Sequence, residues 1–289
     1  MEMKRISIAF LLVFGLMTVQ NAFAKGKIVT DSLRSAVLDT TVKYNVYLPD
    51  GYDPQRHYPV IYLLHGLSDD YTAWYKRGRM YLVADELIRS GECRPCVIVM
   101  PNAGGANTAS TWNGYFNMPG WNYHDFFFSE FLPGVEKKYN AGGSKGQRAV
   151  MGLSMGGGGS TVYCQRHPDM FSSCYAMSPW LDNDPSAVRM HGEKKDKLYF
   201  VCKSVCDNSA LEFVRSADAQ TISALKTVKW FIDCGDDDYL LRFTTQFHFL
   251  MKEKGVNCEL RVRDGIHNWE YWHMALRMSL PFASRNFSD

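Results

Sequence analysis

The stretch RAVMGLSMGGGG at residues 148–159 decides the fold. Its first half is apolar and rich in β-prone residues, which is typical of a strand buried on both faces of a parallel sheet. Its glycines open a helix, so the serine of Gly152-Leu153-Ser154-Met155-Gly156 lies on a sharp turn between strand and helix. Such a turn brings backbone segments so close together that only glycine fits on either side of the serine. This context predicts that Ser154 is a nucleophile; the alternative is an ordinary serine in a glycine-rich corner.

Alternating strands and helices extend from this motif towards both ends of the chain. We predict strands at 42–48, 58–64, 97–100, 147–152, 173–177, 228–234 and 258–262, and helices at 80–89, 124–139, 154–167, 240–253 and 270–280. The repeated strand-then-helix order predicts a single α/β domain with a mostly parallel central sheet and helices on both faces. Two long loops, at 103–123 and 181–197, interrupt the pattern, and loops of this length commonly serve as lids or flexible segments.

The composition fits a globular α/β protein. Of the 289 residues, 46% are apolar, which is enough to build a substantial core and excludes a disordered or low-complexity chain. Lys and Arg number 32 against 30 Asp and Glu, so the formal net charge is +2. This balance gives no electrostatic reason to expect nucleic acid as a partner.

The segment at 1–24 has the pattern of a secretory signal peptide. Two basic residues precede an apolar run at 6–19, and AFA at 22–24 forms a small-x-small cleavage site. The apolar run is short for an uncleaved membrane anchor, which is the alternative. We therefore predict cleavage near Ala24 and an exported domain at 25–289, periplasmic or secreted, that has no membrane span.

Eight cysteines in an exported chain raise the question of disulfides or zinc. The chain is large enough to fold without such links, so we predict that the cysteines are mostly structural. No histidine lies at a zinc-finger spacing from the close cysteine pairs, which disfavours zinc, and we predict no metal. Disulfides stay open for three pairs: Cys93/Cys96, Cys202/Cys206 and Cys234/Cys258.

A serine nucleophile needs a general base and an acid that orients the base. Both are expected downstream of Ser154, on loops at the same edge of the sheet, in the order Ser, Asp, His. His267 is the one histidine on a short glycine-containing loop after a late strand, so we predict it as the general base. An earlier strand is followed by Asp236, Asp237 and Asp238, and the pattern of residues leaves the choice among these three open.

The oxyanion formed in acyl transfer needs two backbone N–H donors. Met155 follows the nucleophile at the start of a helix, where N–H groups are unpaired and the helix dipole favours negative charge. The turn His65-Gly66-Leu67 follows the strand at 58–64. We predict that the amides of Met155 and Leu67 are the two donors. The turn that carries Leu67 can also be interpreted simply as a tight turn at the end of a strand, and the two interpretations are compatible.

Five segments of the chain resemble the putative esterase family, which contains esterase D, feruloyl and acetyl xylan esterases and mycolyltransferases. They are VYLPDGYD, YPVIYLLHGLSDD, GLSMGG, DCGDDDYLL and GIHNWEYW, spread between about 41 and 282. The resemblance implies an α/β-hydrolase fold, no cofactor, and a triad of Ser154, Asp238 and His267. The acidic neighbours Asp236 and Asp237 depart from the family pattern and are expected to raise the pKa of Asp238.

The resemblance implies a serine carboxylesterase that acts through an acyl-enzyme on a small-molecule or oligosaccharide ester, and the predicted signal peptide implies its export. Feruloyl or acetyl esters on plant polysaccharide such as xylan are the substrates that the resemblance mainly implies, and planar side chains at the predicted edge suit sugars and phenolic groups. The candidates for this contact are Trp112, Trp121, Trp180 and Trp269. The alternatives are an acyltransferase, a thioesterase similar to S-formylglutathione hydrolase, and a non-catalytic carbohydrate-binding protein.

Overall fold

An eight-stranded sheet lies at the centre of this computed structural model, which describes residues 25–184, 186, 188 and 196–288. The predicted signal peptide at 1–24 lies outside the described residues. The strands are β1 (Lys27–Ser35), β2 (Thr40–Leu48), β3 (Val60–Leu64), β4 (Val97–Met100), β5 (Asn117–Met118), β6 (Trp121–Asn122), β7 (Arg148–Leu153), β8 (Ser173–Met177), β9 (Lys229–Gly235) and β10 (Cys258–Arg263).

The strand order of the large sheet is β1-β2-β4-β3-β7-β8-β9-β10, and β5 and β6 form a separate hairpin. β2 is antiparallel to both of its neighbours, β1 and β4, whereas β4, β3, β7, β8, β9 and β10 run parallel. Strands β3, β4 and β8 are buried along their whole length. They read as continuous apolar runs because both faces of a parallel sheet are covered.

Helices flank the sheet on both faces. In the described part of the chain they are α1 (Ala73–Lys76), α2 (Met80–Arg89), α3 (Tyr123–Phe126), α4 (Leu132–Tyr139), α5 (Met155–Arg166), α6 (Lys197–Asp207), α7 (Ala210–Ser216), α8 (Ala219–Leu225), α9 (Leu241–Glu253) and α10 (Trp269–Arg285). A π-helical turn, Phe127–Phe131, joins α3 to α4, and a 3-10 turn, Lys145–Gln147, precedes β7.

One apolar core lies on each face of the sheet. Helices α2 and α10 cover one face around Trp74 and Leu276, while α4, α5, α7 and α9 cover the other around Phe131 and Tyr163. The architecture is an α/β-hydrolase fold, so the predicted fold class is confirmed. Its parallel strands deliver their carboxyl ends to a single edge, where the loops that carry function are expected.

The predicted elements differ from the structure in several places. The predicted helix at 124–139 is broken by the π-helical turn, where the chain widens and Phe126, Phe127 and Phe131 are all buried. The prediction missed α6, α7 and α8, which are short helices, each with a narrow buried stripe. It also missed β1, an edge strand whose less exposed positions include Asp31 and Ser35, so apolar and polar residues do not alternate cleanly in its sequence. The predicted loop at 103–123 contains the hairpin β5–β6.

The eight cysteines are all free thiols, and seven of them are buried. No disulfide links any of the three pairs left open by the sequence. Across the described residues, no set of three or more His, Cys, Asp and Glu side chains is arranged to hold a metal ion. Over the same part of the chain, no helix has the length and apolar character needed to cross a bilayer.

Candidate active site

Three side chains meet at the carboxyl edge of the parallel strands. Ser154 directly follows β7, while Asp238 and His267 lie on the loops after β9 and β10. The Ser154 Oγ lies 3.0 Å from His267 Nε2, and His267 Nδ1 lies 2.8 Å from Asp238 Oδ2. The structure therefore brings together the three residues that the sequence assigns as nucleophile, base and acid.

Ser154 has a strained backbone. Its φ is +53° and its ψ is −118°, a region that residues with a side chain rarely adopt. Two hydrogen bonds hold this conformation: the Ser154 N–H donates to the Met177 carbonyl over 2.9 Å, and the Ser154 carbonyl accepts from the Trp180 N–H over 2.9 Å. The surrounding structure thus fixes the serine on a sharp turn, with its hydroxyl against His267.

Close backbone packing explains the glycines on both sides of Ser154. A Cβ atom on Gly152 would lie 2.5 Å from the Gly156 carbonyl oxygen. A Cβ atom on Gly156 would lie 2.5 Å from the Leu64 carbonyl oxygen and 2.6 Å from that of His65. Since real Cβ atoms do not approach so closely, any larger residue would push α5 away from β3.

The Asp238 carboxylate holds the imidazole of His267 in one tautomer. Burial alone would raise the pKa of Asp238, but hydrogen bonds from His267, from the Leu240 amide and from the Ser178 hydroxyl outweigh it, and the pKa lies below its ordinary value. An ionised carboxylate only accepts hydrogen bonds, so His267 Nδ1 carries the proton. The lone pair of Nε2 then faces the Ser154 hydroxyl.

The expectation that neighbouring acids raise the pKa of Asp238 is wrong. Asp236 and Asp237 are exposed, whereas Asp238 is 4% exposed and turned towards His267. Asp236 accepts a hydrogen bond of 2.9 Å from the Gly265 amide and so stabilises the loop that carries His267. The solvent screens both neighbouring charges, while the hydrogen bonds to Asp238 act at contact distance.

A buried histidine sets the shape of the turn after β3. His65 Nδ1 donates to the Gly66 carbonyl over 2.9 Å, and His65 Nε2 accepts from the Ala103 amide over 3.0 Å. The Gly66 carbonyl also accepts from the Asp69 amide over 3.3 Å. In a trans peptide the N–H is antiparallel to the carbonyl, so the Leu67 N–H is directed away from these partners. Burial lowers the pKa of His65 to about 4, which keeps the ring neutral.

The two amides predicted as oxyanion donors lie on segments beside Ser154. Met155 is the first residue of α5, so its N–H has no acceptor within the helix. The turn that carries Leu67 is close to the serine, because a Cβ atom on Gly66 would lie 3.6 Å from the Ser154 Cβ. Their role as oxyanion donors stays a prediction.

A buried carboxylate ties together the elements that carry Asp238 and His267. Asp233 on β9 is fully buried and accepts hydrogen bonds from the Tyr175 hydroxyl over 2.6 Å and from the Tyr271 hydroxyl. It also pairs with the Arg263 guanidinium over 3.2 Å. Arg263 and Tyr271 lie at the two ends of the loop that carries His267. Both ends of this loop are therefore anchored to the strand that leads to Asp238.

Three cavities lie at or next to Ser154. The polar cavity has a volume of about 610 Å³ and the apolar cavity about 440 Å³, and Ser154 lines both. The outer cavity, of about 450 Å³, adjoins the polar cavity through shared walls. The lining of the polar cavity combines polar groups with apolar and aromatic ones: Gly66, Leu67, Ser68, Asp69, Arg77, Leu153, Ser154, Tyr239, His267, Asn268, Trp269, Glu270 and Trp272. The apolar cavity is lined mainly by Leu67, Ser154, Trp180, Tyr239, Leu240 and Phe243. The outer cavity is lined mainly by Arg77, Arg79, Glu86, Trp269, Glu270 and Arg277.

The four candidate tryptophans fall into two groups. Trp180 lines the apolar cavity and Trp269 lines the polar and outer cavities. Trp112 and Trp121 line none of these three cavities; their rings stack on each other at 6.5 Å and 13°. The structure thus places two of the four beside Ser154, and a contact with substrate stays a prediction.

Sequence reasoning missed two groups close to the triad, Tyr239 and Ser178. Tyr239 is 69% exposed and its ring lies 4.7 Å from that of His267. Trp272 meets His267 edge-on at 4.8 Å and donates from Nε1 to the Ser178 hydroxyl over 3.1 Å. Tyr239 could have been predicted as a neighbour of the triad, because it follows Asp238 in the sequence. Nothing in the sequence connects Ser178 to the site.

Comparison with known proteins identifies the family of the chain. The family model described as putative esterase matches residues 35–283. A solved structure titled ferulic acid esterase is 47% identical, with a TM-score of 0.86, over 91% of this chain and 100% of that chain.

Two curated relatives match about half of the chain. An endo-1,4-beta-xylanase/feruloyl esterase of Xylanibacter ruminicola is 32% identical over 50% of this chain and 21% of its own length. An esterase of Mycobacterium tuberculosis, MT1326, is 34% identical over 46% of this chain and 28% of its own length. The matched region therefore spans less than a third of either relative.

Proposed function

This chain belongs to the putative esterase family, and we propose that it is a serine carboxylesterase that hydrolyses feruloyl esters of plant polysaccharide. The observation that carries the proposal is the hydrogen-bonded series Ser154, His267 and Asp238 between two cavities. The names of the relatives, ferulic acid esterase and feruloyl esterase, support the choice of acyl group.

In the first half-reaction, the Ser154 oxygen attacks the ester carbonyl carbon and its proton passes to His267 Nε2. Asp238 stabilises the imidazolium that forms, because the buried carboxylate already accepts from Nδ1. The amides of Leu67 and Met155 hold the oxyanion. His267 then protonates the alcohol oxygen, the bond to the alcohol breaks, and an acyl-enzyme remains on Ser154.

In the second half-reaction, a water molecule replaces the alcohol. His267 takes a proton from this water, whose oxygen attacks the acyl carbon. The same amides hold the second oxyanion, and the Ser154 oxygen leaves after His267 returns the proton to it. The products are the free acid, the alcohol and the original enzyme, so this scheme is complete with the chain's own residues.

The apolar cavity suits a phenylpropenoyl group. Its volume of about 440 Å³ falls within the range of small-molecule pockets. The Trp180, Tyr239 and Phe243 rings supply planar apolar walls. Asn183, Asp184 and Arg242 add polar groups to the lining, which could hydrogen-bond a phenolic hydroxyl. An acetyl group would leave most of this volume empty, which favours the aromatic acyl group.

Hydrolysis of a small ester panel tests the proposal. Wild type is expected to release ferulate from methyl ferulate, with a higher kcat/KM than for p-nitrophenyl acetate. Ser154→Ala is expected to lower kcat by at least about 10⁴-fold, because the nucleophile is lost while the cavities stay intact. A matched control is Ser160→Ala, since Ser160 lies in α5 and bonds only to the Gly156 carbonyl. Turnover of acetate alone would contradict the acyl group, and no turnover of any ester would contradict an esterase.

Export belongs to the same proposal and rests on the sequence of residues 1–24. Mass spectrometry of the protein recovered from the medium or periplasm of producing cells is expected to find a new N-terminus at Lys25. A protein that starts at Met1 and stays with the cells would contradict export.

A further inference from the structure

We propose that the polar and outer cavities together bind the saccharide that carries the ester, as a subsite for a neutral oligosaccharide of at least two sugar units. The inference rests on the proposed function. It adds the side of Ser154 on which the acyl group and the saccharide each bind, and the part of the site that contacts the saccharide beyond its first sugar. Two observations carry it: the location of His267 and the continuity of the two cavities.

The position of His267 fixes the direction of the ester. His267 must protonate the departing alcohol, so the alcohol has to lie on the side of Ser154 that the imidazole faces. His267 lines the polar cavity, together with Asn268 and Trp269, whereas the lining of the apolar cavity does not include it. The acyl group therefore points into the apolar cavity and the sugar hydroxyl that bears it enters the polar cavity.

The polar cavity continues into the outer cavity. Arg77, Trp269 and Glu270 line both, so a chain that leaves Ser154 through the first cavity arrives in the second. Trp269 is held from three sides: Trp74 and Trp272 meet it edge-on at 5.2 and 5.4 Å, and the Arg77 guanidinium lies 5.1 Å from its ring centroid. An indole held in this way at a junction of two cavities offers a fixed apolar surface to a sugar ring.

The charges of the outer cavity favour a neutral saccharide. Arg77 pairs with Asp69 over 2.7 Å, and Arg277 makes two bonds of 2.8 Å to Glu86. Two side chains of opposite charge then remain in the lining, Arg79 and Glu270. Neither forms an ion pair with another of the described residues. Sugar hydroxyls both donate and accept, so a wall with one unpaired guanidinium and one unpaired carboxylate matches them. Over the two cavities together, three arginines and three carboxylates line the walls, so a uronate would gain little from charges that balance.

The test compares esters of one acyl group on alcohols of increasing length. The substrates are methyl ferulate, feruloyl arabinose, and feruloylated arabinoxylan oligosaccharides of three and five sugars. For wild type, kcat/KM is expected to rise about tenfold from feruloyl arabinose to the longer esters. Arg79→Ala and Glu270→Gln are each expected to lower the ratio of kcat/KM between the pentasaccharide ester and methyl ferulate by about fivefold. Thermal unfolding checks that both variants are folded.

Arg34→Ala is the matched control, since Arg34 is an exposed arginine on β1 that lines none of the three cavities. It is expected to keep the wild-type ratio. A readout that does not depend on turnover is calorimetric binding of the unesterified pentasaccharide to wild type, which Arg79→Ala is expected to weaken.

The outcomes separate the two proposals. If methyl ferulate is not hydrolysed but the pentasaccharide binds and Arg79→Ala weakens it, the proposed function fails and the subsite stands. If methyl ferulate is hydrolysed while kcat/KM is independent of chain length and both variants keep the wild-type ratio, the subsite is overturned. A larger gain from an oligosaccharide that carries a uronate would overturn its neutral character.

Discussion

At the residue scale, the acid of the triad can be separated from its neighbours. Asp238→Asn is expected to lower kcat by about 10⁴-fold, because an amide cannot hold His267 in the tautomer that accepts the Ser154 proton. Asp237→Asn is the matched control: Asp237 is exposed, and the carboxylate that contacts His267 Nδ1 is that of Asp238, so kcat is expected to stay within about twofold. Steady-state kinetics on methyl ferulate at pH 7 measures kcat for wild type and for both variants. Equal losses in the two variants would contradict the assignment of Asp238.

The glycine after the nucleophile supplies a second prediction at this scale. Gly156→Ala would force a Cβ atom against the Leu64 and His65 carbonyls, so we expect a loss of about 1 to 3 kcal/mol in the free energy of unfolding. We also expect kcat to fall at least about tenfold, since His65 begins the turn that carries Leu67. Gly91→Ala is the control: its φ of +81° carries strain, but no atom lies within 4 Å of the added Cβ. Urea unfolding and kinetics of both variants check the contrast.

At the scale of elements, Asp233 links β9, β10 and α10. Asp233→Asn is expected to lower the free energy of unfolding by about 2 to 3 kcal/mol, because hydrogen bonds to a charged acceptor are weakened. It is also expected to lower kcat about tenfold with little change in KM, since Asp233 lines neither cavity beside Ser154. The reason is that Arg263 and Tyr271 lose their common anchor at the two ends of the His267 loop.

Asp31 supplies a matched control for this prediction. Its carboxylate accepts from the Tyr44 and Tyr139 hydroxyls over 3.0 and 2.8 Å and pairs with Lys138, but it lies on β1 at the far edge of the sheet. Asp31→Asn is therefore expected to destabilise the fold while kcat stays unchanged. If Asp233→Asn lost stability but kept the wild-type kcat, its carboxylate would be part of the core and would not position the site.

The elements also show how far the sequence could be read. Strand β4 and helix α2 have the predicted bounds, because β4 is a continuous apolar run, α2 has the spacing of an amphipathic helix, and turn residues border both. The turn at Ser154 could be predicted because residues adjacent in the sequence determine it. Asp238 was chosen among its neighbours by family resemblance. The hydrogen-bond partners of Asp233 and Ser178 could not be predicted from the sequence. These partners lie 30 to 94 residues away in the chain, and they come into contact only after the sheet forms. The same holds for the outer cavity, whose walls come from the turn between α1 and α2, from α2 and from α10.

At the scale of the whole molecule, acid is expected to weaken the fold through His65. Burial lowers the pKa of His65 to about 4, against the smaller opposing effects of the Gly66 carbonyl and the Asp70 charge. Between the ordinary histidine pKa of about 6.5 and pH 4, the unfolded chain binds more protons than the folded one. Stability therefore falls as the pH falls through this window, by about 3 kcal/mol for this residue alone.

Urea unfolding at pH 7, 5.5 and 4 measures this loss. His65→Gln is expected to be less stable than wild type at pH 7, because the acceptor for the Ala103 amide moves, yet to lose less stability between pH 7 and 4. Some dependence on pH is expected to remain, since burial also lowers the pKa values of His124 and His167. Parallel pH profiles for the variant and wild type would contradict the role of His65.

The two cavities beside Ser154 have a kinetic consequence. His267 faces the polar cavity, so the nucleophile of the second half-reaction has to enter the space that the saccharide leaves. If the outer cavity holds a sugar chain as proposed, that chain delays the exchange, and its free hydroxyl competes for the acyl group. We then expect the features that improve recognition of long substrates also to slow their turnover, with accumulated oligosaccharide acting both as a product inhibitor and as an acceptor that re-forms the ester.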